Sequence, residues 1–365
     1  MNISHLPERP RILVVTLRRL GDVLLTTPLI RTIRRGFPRA TLDVLVFRGS
    51  EAILKGNPDV DDVRTMSERP RAGETLALVR GLWRRYDLVV STQAGDRPTF
   101  FAWVASRRRV GVVPRAGETG AWWKRHVHDQ PVVLEPDCHR VTQLLQLATA
   151  LGLEPAPDIV CPQGGAVEEV RPRQSYAVVH ASPFYRYKRW TEAGWRGLAR
   201  GLAERGLAVV ATEGPDPVER AYLDGLWASG APSVIRKRLD WPSLAALLEG
   251  AAVYVGPDTS VTHLAAGTGC PTVALYGPTS PRLIGPWPVG GLAEPWAPAG
   301  TVQRRGNVWV VQNPLPCLPC EKLGCAGHLD SHSQCLDELS VRQVLLAVDQ
   351  ALRDPGDGTR PRAGG

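Results

Sequence analysis

The chain of 365 residues has no apolar run approaching the roughly 20 residues needed to span a bilayer as a helix. Its opening stretch, Met1 to Pro10, lacks the apolar core of a signal peptide. No short-period repeat runs along it, which argues against a solenoid. These absences predict a cytoplasmic protein, resting at most against a membrane surface. Acidic residues are the minority charge: 36 Asp plus Glu stand against 44 Lys plus Arg, a formal net charge of +8. Arginine clusters at Arg18-Arg19, Arg34-Arg35, Arg84-Arg85 and Arg107-Arg108-Arg109 suit an anionic partner, whether nucleotide, lipid phosphate, membrane or nucleic acid. Composition alone favours a solvated basic surface.

The length exceeds the roughly 250 to 300 residues at which a single core stops growing, so two domains are expected. At 43% hydrophobic residues the chain can fill both cores. Short β-branched runs alternate with helical patterns. Ile12 to Leu17, Leu42 to Phe47, Leu88 to Ser91 and Val110 to Val113 read as strands. Val23 to Arg35, Glu74 to Arg85 and His139 to Leu151 read as helices. A stretch rich in proline and glycine follows, from Gly152 to Arg173, and the alternation then restarts at Tyr176 to His180. The fold class is therefore α/β, with a doubly wound sheet in each domain and a ligand cleft facing the carboxyl ends of both sheets. We place the first domain at residues 1–155, a linker at 156–173, the second domain at 174–350 and a disordered tail at 353–365.

Three strand-to-helix junctions carry chemistry. Gly256-Pro257-Asp258-Thr259-Ser260-Val261-Thr262-His263 joins a buried strand to an apolar helix. The first amides of that helix, lacking intrahelical acceptors, suit a phosphate as well as they suit an ordinary cap. Arg18-Arg19-Leu20-Gly21-Asp22 lies between the first strand and first helix. There Asp22 serves as a plain N-cap or as a general base, and Arg18 and Arg19 are positioned to orient an anionic acceptor. The loop Ala181 to Trp190 offers Ser182 and Lys188 for phosphate neutralisation, or else only an aromatic surface anchor.

Four of the seven cysteines cluster as Cys317, Cys320, Cys325 and Cys335, with His328 and His332 between them. In a cytoplasmic protein this pattern favours a metal site over disulfides, although its spacing is not that of a zinc ribbon. Structural zinc, packed reduced thiols and a redox-sensitive pair are the three readings. Cys138, Cys161 and Cys270 read as small hydrophobes. In Ala121-Trp122-Trp123-Lys124-Arg125-His126 the aromatics stack on sugar, touch lipid or pack internally.

Taken together, Arg18 to Leu24 with Thr27-Pro28, His180-Ala181 with Lys188-Arg189-Trp190, and Asp258-Thr259-Ser260 with His263 and Tyr276-Gly277-Pro278-Thr279 resemble glycosyltransferase family 9, the ADP-heptose:lipopolysaccharide heptosyltransferases. The resemblance runs from about Arg11 to about Val348. It implies the GT-B fold, two Rossmann-like domains facing a central cleft. It also implies a nucleotide-sugar donor, ADP-heptose, and a lipopolysaccharide or glycan acceptor. By the same resemblance Asp22 matches the catalytic base of an inverting transfer, and Lys188 the lysine on the donor phosphates, with Ser182 nearby. Thr259, Ser260, Val261 and His263 match the helix-start positions that hold the diphosphate and nucleoside, with Asp258 beside them. Glu213 or Asp216 is assigned to the ribose.

No cofactor is required by this chemistry, since a helix dipole and one lysine can stabilise a departing diphosphate in place of a metal ion. Asp59-Val60-Asp61 has the D-x-D form of metal-dependent transferases, but it sits in a turn that explains it. The alternative is a non-catalytic protein on the same scaffold that binds nucleotide sugar or nucleic acid. The first reading expects no nucleic-acid partner.

Overall fold

The computed structural model describes residues 6–168, 170–228 and 234–354. Most of the tail at 353–365 and the first five residues of the Met1 to Pro10 stretch therefore lie outside the described residues. The chain forms two compact units, Met1–Pro162 and Gln163–Gly365.

In the first unit six strands are β1 (Arg11–Val15), β2 (Thr41–Phe47), β3 (Asp62–Met66), β4 (Leu88–Ser91), β5 (Arg109–Val112) and β6 (Gln130–Val132). They lie in the order β3-β2-β1-β4-β5-β6, all parallel. The helices are α1 (Leu20–Leu24), α2 (Thr27–Gly36), α3 (Ala72–Leu82), α4 (Asp96–Ala105), α5 (Ala121–Val127) and α6 (Arg140–Ala150). Ile12, Leu13, Val14 and Val15 are fully buried, as expected of a central parallel strand covered by helices on both faces. The strand order reverses between β1 and β4, which makes that point the topological switch.

The expected single helix from Val23 to Arg35 is two helices in the structure. Pro28 has no amide to give the carbonyl of Leu24, and the Thr27 hydroxyl donates to that carbonyl instead, at 2.7 Å. The Thr26 hydroxyl likewise donates to the carbonyl of Asp22, at 2.8 Å. Side-chain donors thus replace backbone ones at the break, and Asp22 is left on a five-residue helix of its own.

The second unit repeats the plan. Its strands are β7 (Tyr176–Val179), β8 (Ala208–Glu213), β9 (Val234–Arg238), β10 (Val253–Pro257), β11 (Thr272–Leu275), β12 (Val302–Arg305) and β13 (Val308–Val311). Their order is β12-β13-β11-β10-β7-β8-β9, and β12 alone pairs antiparallel. Its helices are α7 (Glu192–Glu204), α8 (Pro217–Trp227), α9 (Trp241–Gly250), α10 (Ser260–Gly267), α11 (Pro281–Ile284), α12 (Gln334–Asp337) and α13 (Val341–Arg353). One core joins β7, β8, β10, β11 and β13 to α7 and α13 through Trp195, Leu198, Leu202, Val344 and Val348. The switch point of this sheet lies between β7 and β10.

Candidate functional site

The loops leaving β7 and β10 meet at the second unit's switch point. Trp190, buried, anchors the first loop: its indole donates to the carbonyl of Leu339 at 2.8 Å, and its ring meets Trp195 edge to face at 5.2 Å. The anchor fixes a short 3-10 turn, Arg186–Lys188, from which Lys188 reaches the second loop. Its ammonium lies 2.5 Å from Oδ2 of Asp258 and 3.3 Å from that residue's backbone carbonyl.

Asp258 is the hub of this site. Its Oδ1 accepts from the Tyr276 hydroxyl at 3.4 Å and lies 3.9 Å from Nε2 of His263. Burial disfavours its ionised form, but the charge of Lys188, the proximity of His263 and hydrogen bonds from Lys188 and Thr279 outweigh it and hold the carboxyl below its ordinary value. For Lys188 burial again opposes the charge, and Asp258 overcomes it, so the ammonium is held above the usual lysine range. Both partners shift toward a buried ion pair.

Beside the pair α10 begins. Thr259 is its N-cap in extended conformation, yet its hydroxyl accepts no first-turn amide. It lies instead 3.4 Å from the hydroxyl of Thr262, which in turn bonds the carbonyl of Pro257 and the hydroxyl of Tyr254. A Cβ on Gly256 would stand 2.0 Å from the Tyr254 hydroxyl, so the β10 end tolerates only glycine while that ring lies across it. His180, ending β7, is buried with Nδ1 2.8 Å from the Thr212 hydroxyl, and burial pushes its pKa down to about 4. It is neutral and structural.

The remaining donor-side candidates are engaged within the protein. The Ser182 hydroxyl donates to Oε1 of Glu219 at 2.5 Å, and the same oxygen accepts the Gly214 amide at 3.0 Å. Glu213 ends β8 with one carboxylate oxygen 3.0 Å from Arg220 and the other 2.5 Å from Arg236. Asp216 caps α8 by accepting the amide of Val218 at 2.9 Å. Ser260, Val261 and His263 occupy the first turn of α10, with Val261 and His263 buried.

In the first unit Arg18 and Arg19 are exposed and Asp22 half-buried, at the β1/β4 switch point. Arg140, opening α6, joins them. Its guanidinium donates to the carbonyl of Thr92, just past β4, at 3.3 Å. Burial weakens its hold on the proton, the Asp22 charge counters that, and Arg18 adds to the lowering. Nothing in the local sequence distinguishes Arg140 from any other helix-start arginine; only the fold brings it to Asp22. The D-x-D turn is closed by arginines, Asp59 with Arg31 at 2.9 Å and Asp61 with Arg34 at 2.6 Å.

The four clustered cysteines, all free thiols, line a single small cavity. Burial, and then the neighbouring thiols, push Cys335 up to about 12. Among the described residues no three His, Cys, Asp or Glu side chains close on one metal-sized point. Cys270 is buried, and Cys138 and Cys161 are half-buried. Trp122, expected to stack or to pack, is 73% exposed.

Comparison with known proteins agrees with this geometry. The chain is 29% identical to lipopolysaccharide heptosyltransferase 1 of Pseudomonas aeruginosa over 92% of its length and 93% of that protein's. It is 25% identical to lipopolysaccharide heptosyltransferase 3 of Escherichia coli K12, over 92% and 96% of the two chains. The solved E. coli heptosyltransferase WaaC with ADP-2-deoxy-2-fluoro heptose superposes with a TM-score of 0.67 at 20% identity, covering 93% of this chain and 99% of that one, so the two share the GT-B fold. Residues 75–291 match the model of glycosyltransferase family 9 (heptosyltransferase). With two doubly wound sheets and a lysine, a carboxylate and a helix start gathered at a switch point, the chain belongs to glycosyltransferase family 9 and is a heptosyltransferase-type enzyme.

Proposed function

We propose that this enzyme moves a heptose from ADP-heptose to a hydroxyl of a lipopolysaccharide core, inverting the anomeric centre and using no metal ion at the diphosphate. The observation that carries the reading is the Lys188 ammonium set beside the uncapped start of α10, in a chain similar to an enzyme solved with an ADP-sugar analogue. Asp22 takes the proton from the acceptor hydroxyl as that oxygen bonds to the anomeric carbon. The bond from that carbon to the diphosphate oxygen breaks on the opposite face, and ADP leaves with the electron pair. Lys188 and the first amides of α10 stabilise the developing charge, which is the role a divalent ion fills elsewhere.

Ser260, Val261 and His263 line the diphosphate and nucleoside, Ser182 stands by the phosphates, and Glu213 or Asp216 faces the ribose. Arg18, Arg19 and Arg140 orient Asp22 and an anionic acceptor. The test is transfer and donor binding measured side by side. Asp22→Asn is expected to abolish transfer with donor binding intact; unchanged transfer overturns the base assignment. Lys188→Ala is expected to weaken donor binding, and unchanged affinity overturns the phosphate site. The rate should be the same with and without added magnesium or manganese, and the product's anomeric proton should report inversion.

Peripheral contact with an anionic bilayer completes the reading, since the acceptor is lipid-borne. Trp83, Phe100 and Trp103 are exposed around the ends of α3 and α4, with Phe100 stacked on Trp103 at 6.5 Å. Arg84 lies 5.4 Å from the Trp83 ring and 5.5 Å from that of Trp103, and Arg80, Arg85 and Arg107 are exposed nearby. Such aromatic and cationic faces rest at a headgroup layer. Trp83→Ala with Trp103→Ala should reduce sedimentation with phosphatidylglycerol vesicles; undiminished binding excludes this face.

A further inference from the structure

The carboxyl end of β4, where the first sheet reverses its strand order, carries a polar side chain with no role in the transfer described so far. Gln93 lies two residues past β4 and is 7% exposed, and its Nε2 has no hydrogen-bond partner among the described residues. A buried amide N–H without an acceptor is costly, so nearly all such groups in folded proteins are paired. The buried side-chain nitrogens of Asn57 and Gln312 are also unpartnered. Their oxygens, however, are tied down, by the amide of Asp59 at 2.9 Å and the amide of Gly300 at 3.2 Å, and neither residue stands at a switch point.

The backbone around Gln93 is fixed on every side. The amide and the hydroxyl of Thr92 both donate to the carbonyl of Val15, each at 3.0 Å, which locks the exit of β4 to that of β1. The Ser91 hydroxyl donates to the carbonyl of Gln93 at 3.4 Å. Arg140 donates to the carbonyl of Thr92 at 3.3 Å and feels the charge of Asp22, so it spans from the residue before Gln93 to the proposed base. Asp22 and Gln93 thus follow neighbouring strands at one crevice of the first unit. A donor held through its backbone on a rigid sheet, with an unpaired N–H at its tip, is pre-organised for a ligand.

We propose that Gln93 is an acceptor-binding residue, whose Nε2–H donates to a second hydroxyl oxygen of the acceptor sugar and not to the one that Asp22 deprotonates. The inference rests on the transferase reading and adds acceptor specificity to it. The attacking oxygen is the wrong partner, because a hydrogen bond donated to it would draw on the electron pair that must form the bond to the anomeric carbon. A second hydroxyl held on Gln93 instead fixes the rotation of the acceptor ring beside Asp22, so that one hydroxyl is presented for deprotonation and its neighbours are not. Arg18 and Arg19 attract any anionic group. A neutral, buried donor discriminates by geometry, since an acceptor lacking the matching hydroxyl leaves the N–H unpaired.

The test is transfer from ADP-heptose by the full chain to a core oligosaccharide lacking its heptose, beside a series of that acceptor each missing one hydroxyl. For the unaltered enzyme one deoxy acceptor should show a KM raised roughly tenfold. Gln93→Met keeps the side-chain length and removes the N–H. It should raise the KM of the parent acceptor by about the same factor, make the parent and that deoxy acceptor equal, and leave the donor KM and the thermal midpoint unchanged. If every deoxy acceptor matches the parent on the unaltered enzyme, or the deoxy penalty persists in Gln93→Met, the role is overturned. A lowered thermal midpoint or a variant that does not fold also overturns it, because the carboxamide is then satisfied within the fold. Transfer indifferent to Gln93→Met overturns this role alone, whereas no transfer by the unaltered enzyme overturns the transferase reading and this role with it.

Discussion

Lys188 and Asp258 form an ion pair 2.5 Å long across the gap where the second sheet reverses its strand order, one residue on the loop after β7 and the other just past β10. The two are distant in sequence and meet because β7 and β10 are neighbours in the sheet. Asp258 thereby sets the position of the lysine while keeping its charge in place.

Breaking one side of this pair should be more damaging than removing both. Asp258→Asn leaves a largely buried ammonium facing only a carbonyl, a loss of about 3–5 kcal/mol for a buried pair. Lys188→Met combined with Asp258→Leu should recover much of that loss while abolishing donor binding. Denaturant unfolding of the two single variants and the double variant gives the coupling. Additive losses would show that the pair contributes no coupling energy.

Arg140 is expected to act through Asp22. Arg140→Met should lower kcat for transfer on the order of 100-fold through misplacement of Asp22, the proposed base, with the donor KM little changed. Arg140→Lys should restore part of the rate, because a cation remains near Asp22 although the bond to Thr92 is weakened. Equal losses in both variants, or a raised donor KM, would assign Arg140 to folding alone.

Stability should fall on mild acidification. His128 and His180 are both pushed from 6.5 down to about 4 by burial, with Arg109 adding to the effect at His128. Between those values the unfolded chain binds protons that the folded chain refuses, so stability rises with pH through this window and levels off above it. Each imidazole accounts for roughly 3 kcal/mol at most. Asp258, held below its ordinary 3.8, adds a further loss only at lower pH. Thermal midpoints measured from pH 7 to pH 4 should decline steadily, and a flat profile would contradict the burial of both rings.

Gly256→Ala should disturb the donor helix from beneath. The added methyl meets the Tyr254 hydroxyl, whose bond to Thr262 holds the first turn of α10. An overpacking loss of about 1–3 kcal/mol is expected, accompanied by weaker donor binding. The ring carbon Cζ of Tyr254 would also lie 2.6 Å from that methyl, so an unchanged denaturation midpoint in Gly256→Ala would show that the ring moves aside without loss.

Most inner strands were legible because each is a short apolar run covered on both faces, as at Ile12–Val15 and Val253–Val255, although β13, equally buried, was not read. The edges were not. The sequences of β9, Val-Ile-Arg-Lys-Arg, and β12, Val-Gln-Arg-Arg, carry the charges that protect an unpaired edge, and those charges hide the strand pattern. The same concealment bears on Glu213, whose Arg236 partner lies on β9 and is invisible until that strand is known. The helix break at Thr26 was hidden because threonine hydroxyls supply bonds that propensity does not count. The start of α10 could be read locally, whereas the links from Lys188 to Asp258 and from Arg140 to Asp22 depend on which strands lie side by side.

The Ser333 hydroxyl donates to the carbonyl of Tyr187 at 2.6 Å, the Glu321 carboxylate accepts the amide of Ser280 at 2.7 Å and the Glu321 amide donates to the carbonyl of Pro278 at 3.0 Å, and these ties set an order of events during synthesis. The loops carrying Lys188 and Asp258 emerge from the ribosome well before the cysteine segment that braces them. A nascent chain paused between the two has the inner strands of its second sheet but not the clasp on either loop. Maturation of these two loops therefore waits for residues 321–333, which emerge after the inner strands of the sheet.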